Sequence, residues 1–285
     1  MGTRYLDDPA LRAEYAEDIA PRTEAALSRV LSRVPLPAPT RVLDLGAGTG
    51  AAGRAIRAVH PGIDLVSVDK VRGPGMVVAD LSRAVRPAGV TGTFDWIVAA
   101  HLLNELATES RPEALLQLAR FWIHEYVAEG GAAIFIEPAL RITSRGLLRV
   151  RDGLLAQGIS VLAPCLFQGP CPALVRERDF CHDSAPAIVA GRSRVDFSYL
   201  VLTRGPQKPA PDTRFRVVSD PLKDKGRLRL FGCGPAGRVV LSRLDRERSE
   251  ANQRFGDLVR GDRVDIHDAT ATGDGLRLGP AARCE

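Results

Sequence analysis

Lysine is almost missing from this chain of 285 residues: Lys70, Lys208, Lys223 and Lys225 stand against 39 Lys and Arg together. Nearly all of its positive charge is therefore arginine. Long apolar runs are missing too, since none approaches the roughly 18 uninterrupted residues that a spanning helix needs. The opening MGTRYLDDPALRAEYAED holds many acids and no apolar h-region, which argues against a secretory signal and an acid-poor transit peptide. The expectation is a cytoplasmic protein that does not enter a membrane. No internal repeat is visible, and with 45% apolar and 26% charged residues the composition excludes wholesale disorder. Cysteine is absent from the first 164 residues; Cys165, Cys171, Cys181, Cys233 and Cys284 all follow. Without a secretion signal, such a cluster points to a metal or redox site more than to disulfides.

The formal net charge of +5 is unevenly spread. Residues 1–40 carry five Arg against six acids, whereas residues 214–260 carry twelve Arg or Lys against six acids. A GC-rich coding bias explains the arginine content as readily as function does. Functionally, arginine suits phosphate, because its planar fork binds it in pairs of hydrogen bonds. The excess near the C-terminus favours a polyanionic partner there.

Apolar spacing predicts an N-terminal helical segment, and the stretch Pro35-Leu36-Pro37-Ala38-Pro39 ends it. Beyond it, short apolar strands alternate with helical patterns: RVLDL, DLVSVD, FDWIVAA and AAIFIE are the strands. That alternation predicts an α/β fold with a parallel, doubly wound sheet. The chain thus divides into a helical segment (1–40), a Rossmann-like domain (41–204) with a cysteine-bearing insertion (160–196), a small C-terminal β unit (205–268) and a loose tail (269–285).

Val42-Leu43-Asp44-Leu45-Gly46-Ala47-Gly48-Thr49-Gly50 is the most informative segment. A strand enters a turn in which Gly46, Gly48 and Gly50 let a ligand approach the backbone, and a helix follows. Dinucleotide sites share this geometry, but their fingerprint is G-x-G-x-x-G. Here Asp44 precedes the first glycine by two residues; an acid there repels a pyrophosphate and suits a cation. The segment resembles the first motif of class I methyltransferases that use S-adenosylmethionine (AdoMet), a sulfonium without phosphate. That resemblance implies cofactor contacts from Asp44, Gly46, Ala47, Gly48 and Gly50, from Asp69 to the ribose hydroxyls, and from Asp80-Leu81 to the adenine edge.

The methyl acceptor is less legible. After the fourth strand the chain reads HLLNEL, not the N-P-P-Y-like loop of amino-group methyltransferases. His101 either acts as a general base, its ordinary pKa being about 6.5, or lines the cofactor pocket; the second reading places it with the cofactor residues. Ala163-Pro164-Cys165 echoes the A-P-C run of cytosine-C5 RNA methyltransferases, but it lies after the fifth strand and a further helix, so no nucleophile is read there. The spacing Cys165-x5-Cys171, then Cys181-His182, then Cys233 allows four thiolates to meet. Zinc and a [4Fe–4S] cluster both accept four thiolates, and scattered buried thiols are the plain alternative. The absence of C-x2-C knuckles leans toward the cluster.

Taken together, VLDLGAGTG, HLLNEL, IEPALRITSRGLLRVRDGLL, APC-x5-CP, FCH, FSYLVLTR, PLKDKGRLRLFGC and FGDLVRGD resemble one family from residue 40 to about 262. It is the mitochondrial small-ribosomal-subunit assembly family of methyltransferase-like protein 17, with its bacterial relatives. The resemblance implies an AdoMet-binding methyltransferase-like protein acting on the small ribosomal subunit or its rRNA. It also implies a [4Fe–4S] cluster on Cys165, Cys171, Cys181 and Cys233. A non-catalytic assembly factor and a small-molecule methyltransferase are the alternatives. The sequence departs at Phe180, where relatives usually have Trp, and at Ala139, where Gly is common.

Overall fold

The computed structural model describes residues 9–107, 112–189, 191–208, 210–235 and 237–285; the first eight residues of the expected helical segment lie outside them. Helix α1 (Pro9–Arg33) runs up to the proline-rich linker. The alternating segment then gives β1 (Arg41–Leu45), α2 (Ala51–Val59), β2 (Asp64–Asp69), β3 (Met76–Val78), β4 (Phe94–Ala100), α3 (Leu102–Leu106), α4 (Pro112–Tyr126), β5 (Val127–Pro138), α5 (Arg141–Leu155) and β6 (Ser160–Ala163). Strands β7 (Asp183–Val189) and β8 (Arg192–Thr203) complete the first unit.

Its sheet has the order β3-β2-β1-β4-β5-β8-β6, with β7 pairing to β8. Strands β1 to β5 are parallel neighbours, as expected. The far edge is not: β8 runs antiparallel to β5, β6 and β7. The reason is local. The chain leaves β6 without returning across the sheet, and β8 comes back from β7 into the gap between β5 and β6. This is a class I AdoMet-methyltransferase fold, parallel on one side and reversed at one edge. The strands bury both faces, as crossover helices require. Leu43, Ile97 and Phe135 face one core, while Val42, Trp96, Val98, Ile134 and Ile136 face the other, together with α1 and α2.

The second unit contains β9 (Arg214–Val217), β10 (Leu222–Asp224), β11 (Arg227–Gly234), β12 (Gly237–Leu244), β13 (Arg263–His267), β14 (Thr270–Thr272), β15 (Gly275–Arg277) and β16 (Arg283–Cys284). Their order is β14-β15-β12-β11-β9-β13-β16, with β10 beside β11. The expected loose tail is therefore corrected: residues 270–284 supply three strands. The Gly-, Ala- and Thr-rich composition hides Leu278, Ala282 and Cys284, which are buried in this unit's core with Phe215, Leu241 and Phe255.

One close approach locks the two units together. Gly261 has φ +87° and donates its N–H to Val217 O at 2.8 Å, and a Cβ there would collide with the Arg33 guanidinium and the Asp183 carboxylate. Beside it, Arg33 Nη2 donates to Asp262 Oδ1 at 2.8 Å. Only glycine fits such a position. Gly261→Ala is expected to cost about 2–4 kcal/mol by combining backbone strain with overpacking, read as a lower midpoint in denaturant unfolding; an unchanged midpoint would refute the junction as drawn.

Candidate functional site

Strand β1 ends in a loop where Gly46, Gly48 and Gly50 have φ of +70°, +52° and +80°. The loop's amides are mostly spent internally. Gly46 and Ala47 donate to Val68 O at 2.8 and 3.1 Å, Gly50 donates to Ala47 O at 2.7 Å, and Gly48 donates to Asp69 Oδ2 at 2.8 Å. A phosphate site needs free N–H groups at this turn; this one offers carboxylates instead. A Cβ on Gly46 would lie 2.9 Å from Leu102, whereas one on Gly48 would meet nothing nearer than Gly46 O at 4.0 Å. The space over Gly48 is thus open to a ligand.

Asp44 is 1% exposed, and its Oδ2 has no hydrogen-bond partner. Burial, reinforced by Asp69 and countered by the Gly53 N–H, pushes its carboxyl up to about 7. A buried carboxyl with one unpartnered oxygen beside an open glycine turn suits a cationic ligand, so the donor set fits AdoMet better than a nucleotide phosphate. Asp69 stands at the end of β2 and also accepts Val71 N–H at 2.9 Å. Asp80 follows β3 on the surface, where hydrogen bonds from Ser82 hold its carboxyl below the usual range. Leu81 is buried in the core beneath it.

His101 sits in the left-handed region, φ 62°, between β4 and α3. Its N–H donates to Ile136 O at 2.7 Å, and its Nε2 is buried without a partner. Burial, with Arg22 nearby, pulls the imidazole down to about 4, so it is neutral at pH 7. It lines a cavity of about 180 Å3 with Arg22 of α1, Asn104, Glu105, Asp196 and Phe197. The structure thus brings Asp44, Asp69 and the glycines together, and sets His101 beside a separate cavity at the ends of β4 and β5.

Sequence reasoning passed over Glu137. It is the penultimate residue of β5, is 1% exposed, and accepts the first-turn N–H groups of α3 from Leu103 and Asn104 at 3.0 and 3.2 Å. The signal was an acid near the end of an otherwise apolar strand. Burial pushes its carboxyl up to about 8 despite those donors. Because the folded state holds this proton above the ordinary carboxyl pKa of about 4.3, stability should decline as pH rises from about 4.3 through 8. Glu137→Gln is expected to flatten that decline in denaturant titrations at pH 5 and 8; parallel curves would exclude it.

The cysteines form the second constellation. Cys165 and Cys171 lie between β6 and β7 on a loop that ends at Cys181. Cys233 lies on β11, where Leu228 and Leu230 face the second unit's core, so that strand alternation turns Cys233 to the other side. All four line one cavity of about 40 Å3, larger than the roughly 10–15 Å3 that one water requires. Among the described residues, no three His, Cys, Asp or Glu side chains gather closely enough for a single metal ion. Burial raises the Cys165 thiol and pushes Cys171 and Cys233 up to about 12, so a bound cation would have to deprotonate them. Cys284 pairs in register with Ile266 in the second core, away from this cavity.

Two arginines on α5 staple the cysteine loop. Arg145 Nη1 donates to the carbonyls of Ala173, Arg176 and Asp179 at 3.0, 2.8 and 2.7 Å. Arg151, fully buried, donates to Phe167 O, Gly169 O and the Cys165 sulfur. Both fall on the apolar face of α5 with Leu148, which was the available signal. On the basic β unit the outcome is mixed. Arg238 turns to the cysteine cavity and pairs with Asp179 at 3.4 Å, and Arg229 stands 4.0 Å from Asp224. Lys223, Lys225, Arg227 and Arg248 line a separate open cleft together with Asp224, Asp245 and Asp257.

A search among curated proteins returns no match. The plantazolicin methyltransferase BpumL in complex with SAH is similar at 11% identity, covering 70% of this chain and 93% of that one with a TM-score of 0.44. The mitomycin 7-O-methyltransferase MmcR is similar at 12% identity, covering 71% of this chain and 60% of that one with a TM-score of 0.43. The family model described as mitochondrial small ribosomal subunit Rsm22 matches residues 13–262. That match spans both units and every cysteine lining the cavity, so the chain belongs to the Rsm22 family.

Proposed function

We propose that this protein binds AdoMet at Asp44, Gly46, Ala47, Gly48, Gly50, Asp69, Asp80 and Leu81, with His101 bordering the acceptor side, and that Cys165, Cys171, Cys181 and Cys233 hold a [4Fe–4S] cluster. Its partner is the small ribosomal subunit or its rRNA, as the family description suggests. The observation that carries the reading is the convergence of four cysteines, drawn from two units, on one cavity. Thiols spread around a cavity suit a polynuclear cluster better than one zinc ion, which needs its ligands about a point. When bound, the cluster supplies a cross-link, and AdoMet supplies an electrophilic methyl group. The chain's own residues do the rest: Asp44 offers a carboxylate to the cofactor's positive end, Gly48 leaves room for it, and the neutral His101 lines the neighbouring cavity.

A non-catalytic assembly factor remains the second reading, favoured by the apolar HLLNEL segment, whose leucines are all buried. Tritiated AdoMet incubated with small-subunit particles separates the two. Radioactivity in rRNA, lost in Asp44→Ala, supports the enzyme; stable particle binding without transfer supports the assembly factor. RNA binding through Lys223, Lys225, Arg227 and Arg248 should weaken with a log–log salt slope of roughly −0.7 per phosphate contact on single strands. An affinity that stays flat with salt would remove this surface from the account.

A further inference from the structure

Two buried guanidiniums touch cysteine sulfurs, and they come from opposite units. Arg151 Nε on α5 donates to Cys165 Sγ at 3.1 Å, and Arg216 Nη1 on β9 donates to Cys181 Sγ at 3.4 Å. Arg216 is also in direct register with Cys233, which faces Arg238 on its other flank. Neither of the two sulfur-bonded arginines is placed to meet phosphate or solvent: their side chains are 0% and 5% exposed.

Buried charge is costly unless it is paired and hydrogen-bonded. Arg216 has one carboxylate, Asp183 Oδ2 at 3.0 Å, and Arg151 has Asp152 beside it. Arg151 also donates to the carbonyls of Phe167 and Gly169, and Arg216 to that of His182, while Arg216 Nε has no partner; each guanidinium gives one further N–H to sulfur. A neutral thiol is a weak acceptor and returns little for a buried guanidinium, whereas a thiolate makes a charge-assisted bond. Four thiolates about a metal centre leave net negative charge in a closed cavity, and these arginines lie where that charge would sit. The N–H groups aimed at Cys165 and Cys181 suit an anionic occupant.

We infer that Arg151 and Arg216 are positioning residues that donate N–H···S hydrogen bonds to the thiolates of Cys165 and Cys181, neutralise the centre's charge from both units, and thereby raise its reduction potential. This rests on the iron–sulfur reading above. Net charge and hydrogen bonds to sulfur are among the factors that set such potentials. An added electron deepens the negative charge, so nearby cations favour the reduced form. Arg238, paired with Asp179 at 3.4 Å and 4.6 Å from the Phe231 ring centre, borders the cavity without a bond to sulfur.

The test is redox titration of anaerobically purified full-length protein, with dithionite as reductant, for the parent and for Arg151→Gln, Arg216→Gln and the corresponding Lys variants. Each Gln variant should lower the reduced-to-oxidised ratio at a fixed potential by about tenfold, about 59 mV for one electron, and each Lys variant by less. Should the Gln variants fail to fold, the Lys variants carry the test. They keep the charge and lose the fork, so their Fe–S stretching bands in resonance Raman should also move. A parent-like potential and parent-like bands in the loaded fraction would overturn the inference, even if total iron fell, because that is what a merely structural arginine would give. An iron-free parent would overturn both this inference and the reading on which it rests.

Discussion

Serine in place of any one of Cys165, Cys171, Cys181 or Cys233 is expected to strip the metal from the protein and to destabilise it by several kcal/mol. The four side chains line one cavity, three from the loop between β6 and β7 and one from β11. Apart from its short 3-10 turn at Pro172–Leu174, that loop has no repeating backbone pattern and depends on α5 arginines and on whatever the cysteines bind. Metal affinity formed only in the folded state is folding free energy, so losing one ligand loosens the loop and the contact between the units together. Cys284→Ser separates metal loss from general damage. Cys284 is buried in the second core, so a hydroxyl there should cost about 1–3 kcal/mol and leave metal content untouched. Metal analysis beside thermal unfolding checks both halves; undiminished metal in Cys233→Ser would dissolve the four-ligand geometry.

Gly48→Phe should abolish AdoMet binding while the protein still folds. A Cβ at this position enters open space rather than packed side chains, so a bulky group fills the cofactor's place instead of the core. The backbone penalty at φ +52° is about 1–2 kcal/mol for a non-glycine residue, which a chain of this size can absorb. Gly48→Asn, which tolerates the left-handed region and projects less, should bind with intermediate affinity. Isothermal calorimetry gives the answer, with circular dichroism to verify folding. Parent-like affinity in the Phe variant would move the cofactor away from this turn.

Much of this was legible before any coordinates. The glycine turn with Asp44 and the strand alternation led directly to the α/β sheet, because a parallel strand announces itself as a continuous apolar run. The reversed edge was not legible: β7 and β8 pair through contacts that local periodicity does not encode. The tail was misjudged for a related reason. Its strands are two or three residues long, too short to show alternation, and they exist because the second core needs Leu278 and Ala282 to close it. Cysteine spacing suggested a shared site, yet it could not show that Arg151 and Arg216 stand against two of the sulfurs. An arginine in an amphipathic helix or a strand reads as surface until its partner is known. The charge excess over residues 214–260 misled in part, since Arg214, Arg216, Arg238 and Arg260 pair with aspartates of the same chain.

The most direct test of the account is the iron and acid-labile sulfide content of anaerobically purified protein, read with its visible spectrum. The account predicts a brown protein with four irons and four sulfides per chain, and a colourless, iron-free product from Cys233→Ser. Stoichiometric zinc with no visible absorption would contradict it.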